Sequence, residues 1–237
     1  MTLCPVATNL VEDAYIETGK AHHEVIRSLY FMGLAHNEAL NRHGQLFLNG
    51  QLTFPPYGLF SKAVKDFYFH CGCLLDNLGR LIFILNDTAA AQHARRRRRI
   101  NWGLVVAMDN NAVPPVRQNN YANNYINHTN EAQLEGIKNV RNLLTHSWKL
   151  PERAHQNNLE WVETVRTEEN FPWWHEDHQF WTDVNNGTLG VISIVQTIQN
   201  DYQFLLQYQT VAFAQLTQDL PNFENTYNVD IRDTLRP

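Results

Sequence analysis

One stretch of residues limits what this chain can fold into more than any other. From Leu59 to Leu85 the apolar residues Phe60, Val64, Phe67, Cys71, Leu74, Leu78, Leu81 and Leu85 recur at steps of three and four. That is the spacing of one face of an α-helix, sustained for about seven turns. Phe69, Leu75 and Ile82 broaden the stripe. A helix apolar over so much of its circumference must be covered on more than one side, which calls for other helices around it. Pro55-Pro56 separates it from what precedes, and Asn86-Asp87 ends it.

The same spacing marks three further helices. Residues from about 10 to 41 carry Val25, Leu29, Met32 and Leu40, with Gly44 as a stop. A helix from about 131 to 148 places Leu134, Ile137, Val140, Leu144 and Trp148 on one face. Thr129 or Asn130 caps it, Glu131 sits at the positive end of its dipole, and Pro151 closes it. The last runs from about 189 to 217 through Ile192, Val195, Ile198, Tyr202, Leu205, Tyr208 and Phe213, and the tail from Pro221 reads as extended. Residues 88–130 and 151–187 lack helical periodicity and read as irregular insertions, with a short strand over 159–165. The expectation is an all-α fold: one domain over 1–237, an up-and-down bundle of about four long helices with a long irregular crossover.

Composition narrows the function classes. Hydrophobic residues are 43% and charged residues 18% of the chain, a globular balance rather than a disordered one. A net charge of −5 argues against indiscriminate coating of nucleic acid. The exception is the unbroken row Arg95, Arg96, Arg97, Arg98 and Arg99. Adjacent like charges repel and need solvent or a polyanion beside them, so the row is either a solvated surface or a local phosphate contact. Of the three cysteines, Cys71 and Cys73 lie two apart inside an apolar helix and read as small hydrophobes. No basic region leads into an apolar run at the start, and no uncharged apolar stretch approaches membrane-spanning length, so the expected location is cytoplasmic. Neither a Gly-rich phosphate loop nor a Gly-x-Ser-x-Gly elbow occurs.

The chemistry-bearing constellation lies on the third helix, in Ile137-Lys-Asn-Val-Arg141-Asn142-Leu-Leu-Thr-His146. Asn142 and His146 are four apart and share a helix face. Arg141 is about 140° from His146 around the axis, within reach of a long side chain. An arginine, a polar residue, three variable residues and a histidine resemble the R-x4-H signature of the HEPN superfamily, whose arginine is often followed by Asn, Asp or His. The long apolar helix before the motif, with Leu75-Asp76-Asn77-Leu78 at its middle, is similar as well. The resemblance covers residues from about 10 to 148 and the last long helix. The arginine row and the Trp-rich stretch lie outside it.

That resemblance implies a metal-independent endoribonuclease without a cofactor, paired as a homodimer so that two motifs face one cleft. A ribose 2′-hydroxyl would attack the adjacent phosphate and leave a 2′,3′-cyclic phosphate. His146 would exchange the proton, Arg141 would hold the phosphate and its transition-state charge, and Asn142 would orient either one. Outside the resemblance, the row Arg95–Arg99 is the candidate RNA contact on its charge alone. By family analogy the chain would be a toxin or defence effector, with an antitoxin or regulatory protein as a further partner. The alternative is a non-catalytic HEPN-like module that binds RNA or another protein.

Two other clusters carry histidine. His175-Glu-Asp-His178 and His22-His23-Glu24 are metal-capable in type, but neither has His-Glu-x-x-His spacing, and Trp173, Trp174, Phe180 and Trp181 crowd the first. Both read as packing or surface, and no metal is expected. The aromatic residues between Tyr121 and Trp181 either stack on unpaired bases or bury themselves against the bundle, and burial is the expectation.

Overall fold

The computed structural model describes residues 4–46, 55–86, 125, 128–146, 152–155, 158–166 and 177–227. In chain order these form α1 (Cys4–Leu46), α2 (Pro55–Asn86), α3 (His128–His146), β1 (Glu152–His155) and β2 (Asn158–Val162). A 3-10 turn (Glu163–Arg166), α4 (Asp177–Asn185), β3 (Val191–Ser193) and α5 (Ile194–Tyr227) follow. The architecture is an all-α helical bundle, with one small antiparallel sheet in the order β1-β2-β3. Its register pairs Trp161 with Glu152 on one side and with Ile192 on the other.

The segment read as irregular from 151 to 187 therefore carries two strands, a 3-10 turn and α4. The last helix differs at both ends from the expectation. Residues 191–193 pair with β2 as a strand, so α5 begins only at Ile194. Its far end is a correction: the chain stays helical through Pro221 to Tyr227. A proline inside a helix costs about 3 kcal/mol. Here Leu220 and Phe223 are buried on either side of an exposed Pro221, and their burial offsets that cost.

The chain divides into two compact units, each discontinuous in sequence, to both of which α1, α2 and α5 contribute segments. The first comprises Met1–His23, Cys73–Glu131 and Leu206–Pro237. Its α1 segment buries Leu10, Val11, Ala14, Thr18 and Ala21, and the small side chains allow close approach. The three helix segments are cross-linked pairwise. Asn77 Nδ2 donates to the Glu17 carbonyl over 3.2 Å, joining α2 to α1. His22 Nδ1 lies 2.6 Å from Gln209 Oε1, joining α1 to α5. Asp219 collects three donors: Asn86 Nδ2 at 3.2 Å, Gln215 Nε2 at 3.0 Å and the buried Tyr125 hydroxyl. Burial, then the bond to Asp219, raises the Tyr125 phenol far above its usual range.

The second unit comprises Glu24–Gly72 and Ala132–Leu205. Its buried side chains include Phe60, Val64, Phe67, Tyr68 and Cys71 of α2, Leu134, Ile137, Val140 and Leu144 of α3, and Trp161, Val162 and Val165, with the Tyr68 and Trp161 rings 6.0 Å apart. The turn after α4 has a clear local cause. Gly187 takes φ +75°, a conformation that suits glycine, and lets the Thr188 and Gly187 amides bond back to the Asp183 and Val184 carbonyls.

Residues Gly58–Asn86 of α2 form the one described helix long and apolar enough to cross a membrane, and 61% of its most apolar window is buried inside the protein.

Candidate functional site

The polar strip on α3 belongs to the second unit. The burial of Leu134, Ile137, Val140, Leu143 and Leu144 anchors the inner face of this helix and leaves Arg141 and Asn142 half-exposed. Arg141 Nη1 donates to Asn142 Oδ1 over 3.2 Å, and Thr145 Oγ1 donates to the Arg141 carbonyl over 2.8 Å. The stem of Arg141 crosses α2 at Gly72. A Cβ added at Gly72 would stand 2.9 Å from Arg141 Nε and 3.3 Å from its Cγ, so the path of the guanidinium depends on the missing side chain. His146 is the last residue of α3, one turn beyond Asn142. The His146 side chain lies outside the described residues, as do Arg95, Arg96, Arg97, Arg98 and Arg99. Among the predicted site residues, then, the structure brings together Arg141 and Asn142.

Sequence reading missed a second polar cluster close by in the same unit. Asp201 of α5 is fully buried and accepts four hydrogen bonds. Arg166 provides two, from Nη1 to Oδ2 at 2.7 Å and from Nη2 to Oδ1 at 2.9 Å, a bidentate fork matched to the carboxylate plane. The Tyr68 hydroxyl donates to Oδ2 at 2.7 Å and Gln133 Nε2 to Oδ1 at 2.6 Å. Gly136 leaves space for the fork, since a Cβ there would fall 2.7 Å from Arg166 Nη2. The Arg166 carbonyl in turn accepts from Asn139 Nδ2 at 3.1 Å.

The electrostatics follow from burial. Desolvation is the largest influence on the Tyr68 phenol and pushes it well above its ordinary range, with the Asp201 charge adding to the effect. Desolvation acts to lower the Arg166 guanidinium, but the hydrogen bonds and charge of Asp201 outweigh it and hold Arg166 above its ordinary value. Tyr68 stays protonated and Arg166 charged, so both remain donors to one carboxylate. The chemistry this permits is positional: two residues of α3, Gln133 and Asn139, are tied to the Arg166–Asp201 pair.

Other candidates are placed elsewhere. Trp161 and Tyr125 are buried and cannot stack on bases from solvent. Trp173, Trp174, His175 and Glu176 lie outside the described residues, as does the His178 side chain. His22 is engaged with Gln209, and among the described residues no group of three or more His, Cys, Asp or Glu is arranged to hold a metal ion. Cys71 is buried and Cys73 half-buried, and neither is bonded in a disulfide.

No protein-family model, curated protein or solved structure matches the chain.

Proposed function

We propose that this chain is an HEPN-like endoribonuclease that works without a metal, as a homodimer, in a toxin or defence role. The observation that carries the reading is the half-exposed Arg141–Asn142 pair on a helix whose opposite face is buried, one turn before His146. A guanidinium on a half-buried arginine, braced by a neighbouring amide, suits recognition of a phosphate whose charge grows in the transition state. An imidazole one turn away is the natural carrier of the 2′-hydroxyl proton near neutral pH. The arginine row would add phosphate contacts along the strand.

The test is incubation of the full chain with single-stranded RNA in the presence of a chelator. The expected products end in 2′,3′-cyclic phosphate. His146→Ala and Arg141→Ala should each slow their appearance by about 10²–10⁴-fold. Unchanged cleavage by His146→Ala refutes the assignment. Salt-dependent binding of RNA without cleavage moves the chain to the non-catalytic RNA-binding reading.

A further inference from the structure

With Trp161 and Tyr125 buried, an aromatic face open to a nucleobase must come from elsewhere. One lies beside the α3 strip. Phe69 of α2 is 50% exposed and stands just under one helical turn before Gly72, where the stem of Arg141 crosses. Lys65, also exposed, lies a further turn back. At about 100° per residue, Lys65, Phe69 and Gly72 fall within roughly 60° of the circumference of α2. They form one strip, with successive positions about 5–6 Å apart.

The strip is built on a fixed backbone. Phe67 and Tyr68, next to Phe69 in the chain, are fully buried, and the Phe69 ring meets that of His70 nearly at right angles, centroids 5.4 Å apart. A ring already held in place loses little freedom when a ligand stacks on it. The charges are favourable to an anion. Among the described residues no carboxylate pairs with Lys65. Neither acid near the strip is free: Lys62 holds Asp66 at 2.6 Å, and Asp76 is engaged as well. A cation, an aromatic face and a second cation in succession match a single strand, in which phosphates alternate with unpaired bases. A duplex keeps its bases stacked inside, and an apolar protein surface would bury the Lys65 charge without a partner.

We propose that this strip of α2 is the path by which single-stranded RNA reaches the α3 site. One unpaired base stacks on the Phe69 ring, and the phosphates on either side of that nucleotide lie at Lys65 and at Arg141. From Lys65 to Gly72 the strip is about 10 Å long at 1.5 Å per residue, room for one nucleotide with both its phosphates. The part given to Arg141 rests on the ribonuclease reading, whereas the contacts of Phe69 and Lys65 require a single strand and not its cleavage. Phe69 and Lys65 are binding residues: they hold the nucleotide beside Arg141 and move no proton.

The probe is a fluorescein-labelled, fully 2′-O-methylated RNA of about ten nucleotides, which lacks the attacking hydroxyl, so anisotropy of the full chain reads binding without cleavage. Phe69→Ala should raise Kd about 5–100-fold with the salt dependence unchanged, and Phe69→Tyr should stay within about threefold of the parent. Lys65→Ala should weaken binding and reduce the slope of log Kd against log salt by about 0.7. On a duplex of the same sequence Phe69→Ala should bind as the parent does. Circular dichroism and thermal midpoints, unchanged in all three variants, separate lost contacts from unfolding. A parent that binds neither this probe nor the same sequence as natural RNA at about 100 μM overturns the proposal. So does a Phe69→Ala Kd within about twofold of the parent, an equal loss on the duplex, or a Phe69→Tyr as weak as Phe69→Ala. If Phe69→Ala binds normally while His146→Ala abolishes cleavage of natural RNA, the path is wrong and the nuclease stands. Stacking on Phe69 with no cleavage of natural RNA keeps the path and removes the nuclease.

Discussion

Asp201→Ala is the substitution whose consequence can be worked out most fully. The wild-type carboxylate is inaccessible to water and takes two bonds from Arg166, one from Tyr68 and one from Gln133. Truncation leaves a guanidinium whose side chain is 17% exposed without its counter-charge, and two further donors facing a void. Adding four charge-assisted bonds at about 1.5–3 kcal/mol each would overcount, because one relaxation serves all four. Breaking a buried ion pair from one side costs about 3–5 kcal/mol, and that is the expected loss. With a urea slope of about 2–3 kcal/mol per molar, the unfolding midpoint should fall by about 1–2.5 M. Arg166→Met should cost a similar amount, because it strands the carboxylate instead. The informative variant is the double one. Asp201→Ala with Arg166→Met removes both charges together, and loss of both members of a buried pair costs far less than loss of one. It should therefore recover most of the loss, giving a coupling of at least about 2 kcal/mol in the double-mutant cycle. Urea titrations followed by circular dichroism and tryptophan fluorescence measure all three. Additive losses, or an Asp201→Ala cost below about 1 kcal/mol, would refute the claim that this pair is a coupled buried unit.

Two further predictions come from single contacts. Gly72→Ala raises helix propensity by about 1 kcal/mol but drives a methyl group into the stem of Arg141. Stability should change by no more than about 1 kcal/mol while, on the proposed ribonuclease reading, RNA cleavage falls at least about tenfold; a fully active variant would show that the course of Arg141 over α2 is irrelevant. The ring of His36 lies 5.6 Å from that of Phe60, and burial lowers its pKa below the ordinary 6.5. The folded state thus favours the neutral ring, and the unfolded chain takes the proton first as pH falls. This contribution is complete above 6.5 and is lost as pH drops toward the lower folded value. Urea midpoints should decline between about pH 7 and pH 5, and His36→Phe should flatten that decline; an equal slope in the variant would exclude His36 as its source.

The parts of this fold that were legible in the sequence are those whose cause is local and periodic. Phe60, Val64, Phe67, Cys71, Leu74, Leu78, Leu81 and Leu85, the stripe that defines α2, are all buried. Spacing on a helix translates directly into a face. Strands of three to five residues are too short to show a period, so β3 was absorbed into the start of the last helix. Pro221 illustrates the opposite failure: a local rule for ending helices was overridden by the burial of Leu220 and Phe223. Asp201 was within reach. Ile194, Ile198, Asp201, Leu205 and Tyr208 follow steps of four, three, four and three and are all buried, so an acid occupies a core position in an otherwise apolar stripe. A periodicity that admits only apolar residues chose Tyr202 instead, which is half-buried. The partners of that acid had no local signal, because Tyr68, Gln133 and Arg166 come from three separate segments.

The buried cluster and the α3 strip bear on each other energetically. A long side chain loses about 2 kcal/mol of rotamer freedom when it is fixed, and an arginine that must be ordered by its ligand subtracts that amount from binding. Arg141 is spared part of this loss because its stem rests on Gly72 and its guanidinium on Asn142. That arrangement holds only while α3 keeps its place, and Gln133 and Asn139 fix it to Asp201 and to the Arg166 carbonyl. The Asp201–Arg166 pair therefore acts on any chemistry at Arg141 through position, without touching substrate. On the proposed ribonuclease reading, Asp201→Ala, under conditions where it stays folded, should bind RNA more weakly while the pH profile of cleavage keeps its shape. A shifted profile would mean instead that the carboxylate exchanges protons with the reaction, and the positional account would be wrong.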